Sequence, residues 1–209
     1  MALAYRVTGS GRPVLWLHGG GGQSWDAVTA ALADRVRSYV PDLRGYGGSP
    51  RTGPYGPEAG VRDIVALLDA LGLDRAAVVG HSSGGIVAYL LAMTYPERVD
   101  ALVLEEAPPP TPIDLRPARP SGDPGYDWSA RMATLDWLRS PDPGLWQRFA
   151  AITARTLVVR GGAGSHLDQE EQARMAERIP GAKLTTIEAG HNAHTAALDE
   201  FLAAVRDFL

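Results

Sequence analysis

The stretch Gly80-His81-Ser82-Ser83-Gly84-Gly85 stands between two apolar runs with no linker on either side. Upstream, Ala76, Ala77, Val78 and Val79 suit a strand buried on both faces. Downstream, residues 86–93 are apolar all round, which suits a helix buried on several sides. A buried strand that passes at once into a buried helix needs a sharp turn, with small residues where the backbones approach. Gly80 and Gly84 flank Ser82 at two residues before and two after, the spacing G-x-S-x-G. On such a turn the Ser82 hydroxyl stands above the sheet, close to a helix N-terminus. The next backbone N–H, from Ser83, points where an oxyanion would form. A glycine-rich turn with incidental serines is the plain alternative; the strand–turn–helix context favours the chemical one.

Short apolar runs alternate with helical patterns along most of the 209 residues. Strands are expected at 13–17, 38–40, 76–79, 101–104, 156–159 and 183–187. Helices are expected around 25–37, where Val28, Leu32 and Val36 recur every fourth residue, and at 61–71, 86–93 and 168–178. The 168–178 helix opens with Asp168 and Glu171 in a capping box. Leu198, Phe201, Leu202 and Val205 mark a final amphipathic helix. This alternation predicts an α/β fold: one domain over residues 1–209, a mostly parallel sheet, helices on both faces. Residues 107–149 break it. The segment is rich in proline and holds Trp128, Trp137 and Trp146. A loop this long inside a compact domain is usually functional, and 129–139 suits a helix, so a small cap over the carboxyl edge of the sheet is expected.

Composition narrows the function. A net charge of −4 with no run of like charges provides no basic face for nucleic acid. The absence of cysteine excludes disulfides and thiolate metal sites. No apolar run approaches the length of a membrane span, and the first residues lack the basic and apolar parts of a signal peptide. The expectation is a cytoplasmic protein with a small-molecule partner.

Three further stretches carry a resemblance. Leu15-Trp16-Leu17-His18-Gly19-Gly20 is similar to the oxyanion loop of the α/β-hydrolase family. Pro41-Asp42-Leu43-Arg44-Gly45-Tyr46-Gly47-Gly48-Ser49 resembles its D-x-R-G-x-G-x-S turn. Gly190-His191 before an apolar helix resembles its catalytic-histidine loop. The resemblance runs nearly end to end and implies the α/β-hydrolase fold, with no counterpart of the family's first strand and hence a shortened N-terminus.

A serine hydroxyl needs a base, and five histidines are present. His18 belongs to the oxyanion loop, where a structural role is expected. His81 points away from Ser82 by strand alternation. His166 and His194 lie off the motif. His191 follows a strand and comes after the serine and the acid in the family order, which makes it the expected base. The acid departs from the family pattern: the loop Arg160-Gly161-Gly162-Ala163-Gly164-Ser165-His166 holds no carboxylate, and Asp168 looks like a helix cap. Some members of this fold take the acid from the end of the strand after the elbow helix. Glu106 matches that position, with Glu105 the alternative if the register is off by one. The resemblance then implies a serine hydrolase acting on an ester, lactone or thioester. Ser82, His191 and Glu106 form its triad, and the N–H groups of Ser83 and Gly20, or else Gly21, its oxyanion hole. No metal or organic cofactor is implied. A carbon–carbon bond-cleaving or non-hydrolytic enzyme on the same triad, and a binding protein with a vestigial triad, are the alternatives. The three tryptophans hint at an apolar acyl group or ring in the substrate, or at cap core.

Overall fold

The structure, a computed structural model, describes residues 2–209. Seven strands form one sheet: β1 (Tyr5–Thr8), β2 (Arg12–Leu17), β3 (Val36–Pro41), β4 (Ala76–His81), β5 (Val99–Glu105), β6 (Arg155–Arg160) and β7 (Lys183–Thr186). Their spatial order is β1-β3-β2-β4-β5-β6-β7. β1 runs antiparallel to β3, and every other neighbouring pair is parallel.

The helices are α1 (Asp26–Ala31), α2 (Pro57–Ala70), α3 (Ser83–Thr94), α4 (Trp128–Arg139), α5 (Leu145–Arg148), α6 (Gln169–Arg178), α7 (Ala193–Ala196) and α8 (Leu198–Arg206). Two-residue alternation divides the strand side chains between two cores. Val78, Leu102, Leu104 and Val158 pack with Ile64, Ile86 and Leu91 on the face of α2 and α3. Ala77, Val79, Ala101 and Val103 pack with Trp25, Val28, Phe201 and Val205 on the face of α1 and α8. Both faces of the central strands are therefore covered, which is why those strands are continuous apolar runs.

The chain winds outward from β2 to β3 and then crosses to β4 on the other side of β2. This reversal opens a crevice at the carboxyl ends of β2 and β4, where ligands of open α/β sheets bind. The loop at His18-Gly19-Gly20 and the turn at Ser82 border that crevice.

Two expectations of local structure change. The helix expected over 25–37 covers only Asp26–Ala31 and ends at Leu32. Val36 begins β3 and pairs with Arg12. Val28, Leu32 and Val36 do share one core, but Val36 reaches it from a strand, where a β-branched side chain fits well. β1 was not anticipated: it is only four residues long and all four are exposed, so its short Tyr-Arg-Val-Thr alternation marks no buried face. In the proline-rich segment, α4 matches the helix expected at 129–139. Its Ala130, Leu135 and Leu138 are buried on the α2–α3 side. The Trp137 indole N–H donates to Glu58 at 2.8 Å.

Candidate active site

Ser82 sits between β4 and α3 with φ 51° and ψ −122°, a strained conformation for a residue with a side chain. Backbone crowding requires the flanking glycines. A Cβ at Gly84 would lie 2.4 Å from the carbonyl oxygen of Leu17, and one at Gly80 would lie 2.6 Å from that of Gly84. The turn is thus clamped between β2 and the first turn of α3, and the Ser82 side chain has only the crevice to enter.

The Ser82 Oγ lies 2.9 Å from His191 Nε2, and His191 Nδ1 lies 3.1 Å from Glu106 Oε2. An ionised carboxylate only accepts, so Nδ1 carries the proton and Nε2 accepts from the serine. Glu106 is fully buried. Burial alone would raise its pKa. Hydrogen bonds from His191, Ser165, the Gly161 N–H and Gln172 outweigh that and lower it to about 2. The Gly161 N–H donates at 2.5 Å, Gln172 Nε2 at 2.9 Å, and the Ser165 hydroxyl also donates. The loop after β6, which holds no carboxylate of its own before Asp168, therefore supplies donors that cradle the acid from the end of β5. Asp168 caps α6, accepting from the N–H groups of Glu170 at 2.9 Å and Glu171 at 3.2 Å.

Glu105 goes elsewhere. It lies on the α1–α8 face, where its Oε1 accepts from the His194 N–H at 2.8 Å and from His194 Nδ1 at 2.9 Å. His194 Nε2 meets Ser24 Oγ at 2.7 Å. Two consecutive glutamates thus each hold a different histidine. His81 is packed beside Trp25 and His194, and its Nε2–H donates to the His191 carbonyl at 2.7 Å. Burial lowers the His81 pKa to about 4, so the ring is neutral near pH 7. His18 is buried too. Its Nε2 accepts from the Leu43 N–H at 2.9 Å, so its Nδ1–H donates to the Gly19 carbonyl at 2.7 Å. It ties the glycine loop after β2 to the turn after β3.

Gly20, Gly21 and Ser83 all line a cavity of about 180 Å³ over Ser82. Among the described residues, no acceptor is bonded to the N–H of Gly20, Gly21 or Ser83. The anticipated tryptophans are absent from this wall. Trp146 packs with Phe149 in the core, Trp137 faces a separate groove with Glu58, and Trp128 lies near Arg51 and Asp127. The apolar wall comes instead from Pro108, Leu135, Leu138 and Leu167.

Sequence reasoning missed Arg131 and set His166 aside. Arg131 projects from α4 onto the glycine loop: a Cβ at Gly20 would fall 1.5 Å from its Nη1. The His166 ring lies 4.2 Å from that of His191, centroid to centroid. No motif marks either residue; Arg131 reaches the cavity through the packing of α4 over the sheet, and His166 through the loop between β6 and α6.

A parallel sheet with a serine on a strained strand–helix turn, a histidine loop after its last strand and a glycine loop beside it defines a class of proteins. A family model described as alpha/beta hydrolase fold matches residues 12–155. The chain belongs to that family. It is 47% identical over 88 residues to a putative carbamate hydrolase RutD of a Caulobacter species, covering 41% of this chain and 33% of that protein. It is 38% identical over 104 residues to a 2-hydroxymuconate semialdehyde hydrolase of a Pseudomonas species, covering 46% and 37%. These matches span about a third of the length of the curated relatives. The solved structure of a hydrolase from Pseudomonas aeruginosa superposes with a TM-score of 0.85 at 26% identity, covering 99% of this chain and 93% of that one.

Proposed function

We infer that this chain is a serine hydrolase that cleaves an ester, lactone or thioester of a small molecule. The observation that carries the reading is the unbroken hydrogen-bonded line Ser82–His191–Glu106, with the carboxylate held ionised by its hydrogen-bond donors. Glu106 fixes the His191 tautomer and stabilises the imidazolium once it forms. His191 Nε2 takes the proton as Ser82 Oγ attacks the carbonyl carbon. The negative charge on the tetrahedral oxygen is held by the N–H groups of Ser83 and Gly20. His191 returns the proton to the leaving oxygen or sulfur, and the carbon–heteroatom bond breaks to leave an acyl-Ser82. Water then attacks, giving its proton to His191, and the acid departs as Ser82 recovers its proton.

The test is labelling with a fluorophosphonate, which reacts only with an activated serine, alongside turnover of a panel of p-nitrophenyl and thioester substrates. Ser82 should carry the label, and Ser82→Ala should lose turnover on the order of 10⁶-fold in kcat. An unlabelled Ser82, or a Ser82→Ala variant that turns over as the parent does, would overturn the reading.

A further inference from the structure

The wall of the Ser82 cavity is unbalanced in charge. It carries one guanidinium, that of Arg131, and three imidazoles, and no carboxylate lines it. Two other arginines of the same segment are matched: Arg139 pairs with Asp114 and Asp136, and Arg116 pairs with Asp114. Among the described residues Arg131 has no carboxylate partner. The Tyr46 hydroxyl lies near enough for the guanidinium to favour its ionised form, against a burial that pushes its pKa up to about 12. Arg131 is half-buried. A cation drawn out of water beside neutral groups is costly until an anion joins it.

The position of that cation bears on the reaction. A Cβ at Gly19 would lie 3.1 Å from the Ser82 Cβ, so the glycine loop packs directly against the serine. Arg131 Nη1 sits on the next residue, Gly20. The guanidinium is therefore only a few bond lengths from where an acyl carbonyl must lie. Its planar fork matches a carboxylate bidentately, a geometry that a point charge lacks. Leu135, Leu138 and Pro108 line the same cavity, and apolar surroundings strengthen such a pair.

We propose that Arg131 selects a substrate with a carboxylate a few bonds from the scissile carbonyl, so that the preferred ester, lactone or thioester is a monoanion. This rests on the hydrolase reading above and deepens it. The Ser82 hydroxyl performs the attack; Arg131 binds the distal carboxylate in ground and transition state alike. Its loss is then felt mainly in KM.

The experiment compares mono-p-nitrophenyl glutarate with p-nitrophenyl 5-methylhexanoate, which replaces the carboxylate by an isopropyl group of the same shape. In the parent protein kcat/KM should favour the glutarate ester by about 10- to 100-fold, the range of a charge-assisted hydrogen-bonded pair. Arg131→Met should bring the ratio near one, chiefly through the KM of the glutarate ester. Arg131→Lys should restore part of it, and added salt should lower it in the parent. Thermal melting of each variant checks that it is folded. A parent protein with no preference for the anionic ester overturns the proposal. So does an Arg131→Met variant in which both esters slow in parallel through kcat, because Arg131 would then act on the oxyanion or on the loop. Fluorophosphonate labelling of Ser82 separates the two readings: a labelled serine without charge preference sinks only the role of Arg131, and an unlabelled one sinks the hydrolase reading itself.

Discussion

Adjacent glutamates with different partners make the sharpest test at the scale of single residues. Glu106→Gln keeps the shape but removes the charge facing His191, and should lower kcat about 10⁴-fold. Asp168→Asn should leave catalysis unchanged, since Asp168 is occupied with two N–H groups of α6. Glu105→Gln should act on stability instead. It exchanges a charged acceptor of two buried His194 N–H groups for a neutral amide, at about 2 kcal/mol, or roughly 6 °C in melting temperature. Melting curves beside kcat distinguish these outcomes, and a catalytically dead Glu105→Gln that melts like the parent would reverse the assignment. Two-residue alternation already places Glu105 on the face of Ala101 and Val103. The turn of Glu106 into the crevice was expected only through the family resemblance, because it follows from a left-handed backbone at φ 45° that no local pattern announces. Ser82 carries similar strain at φ 51°. Ser82→Gly should abolish turnover and yet raise stability by about 1 kcal/mol, which denaturant titration would measure.

At the scale of elements, the β4–α3 turn works because the N-terminus of α3 touches the end of β2. Gly84→Ala would push a methyl into the carbonyl oxygens of Leu17 and His18, at 2.4 and 2.5 Å. These are backbone atoms of a central strand and its continuation, so α3 must shift. The expected cost is about 1–3 kcal/mol, with slower fluorophosphonate labelling as Ser82 leaves the line to His191. Unchanged melting and labelling would mean that the turn is looser than its geometry. Elements marked by an apolar run or a cap were legible: β4, α3 and the capped α6 lie where those signals put them, and α4 covers the helix expected at 129–139. β1 and the end of α1 were not. β1 owes its conformation to pairing with β3 rather than to its own exposed residues, and Val36 fits a helical spacing and a strand equally well.

For the whole molecule, buried histidines govern behaviour in acid. Burial lowers His81 from an ordinary 6.5 to about 4 and moves His18 in the same direction. Below pH 6.5 the unfolded chain binds protons that the folded chain refuses, so stability falls as the pH drops from 6.5 towards 4. His81 alone contributes about 3 kcal/mol of that loss. Glu106 adds a second stage: its stabilisation is complete above its ordinary 4.5 and is lost as the pH falls through about 2. Melting temperature should therefore decline steadily from pH 6.5 to 4. His81→Gln, which keeps a donor for the His191 carbonyl, should flatten part of that slope; a parent curve level over this range would show that His81 titrates normally. The sequence by itself determined the alternation of strands and helices, the serine on its glycine-flanked turn, and the histidine loop after the last strand. These are set by short-range spacing and by steric limits on a turn. Only the tertiary structure decided which glutamate meets which histidine, that the loop after β6 provides donors for the acid, and that Arg131 lies over Gly20. Each of these joins residues far apart in the chain, and depends on strand register, on backbone rotation at a strand end and on the packing of a segment without period.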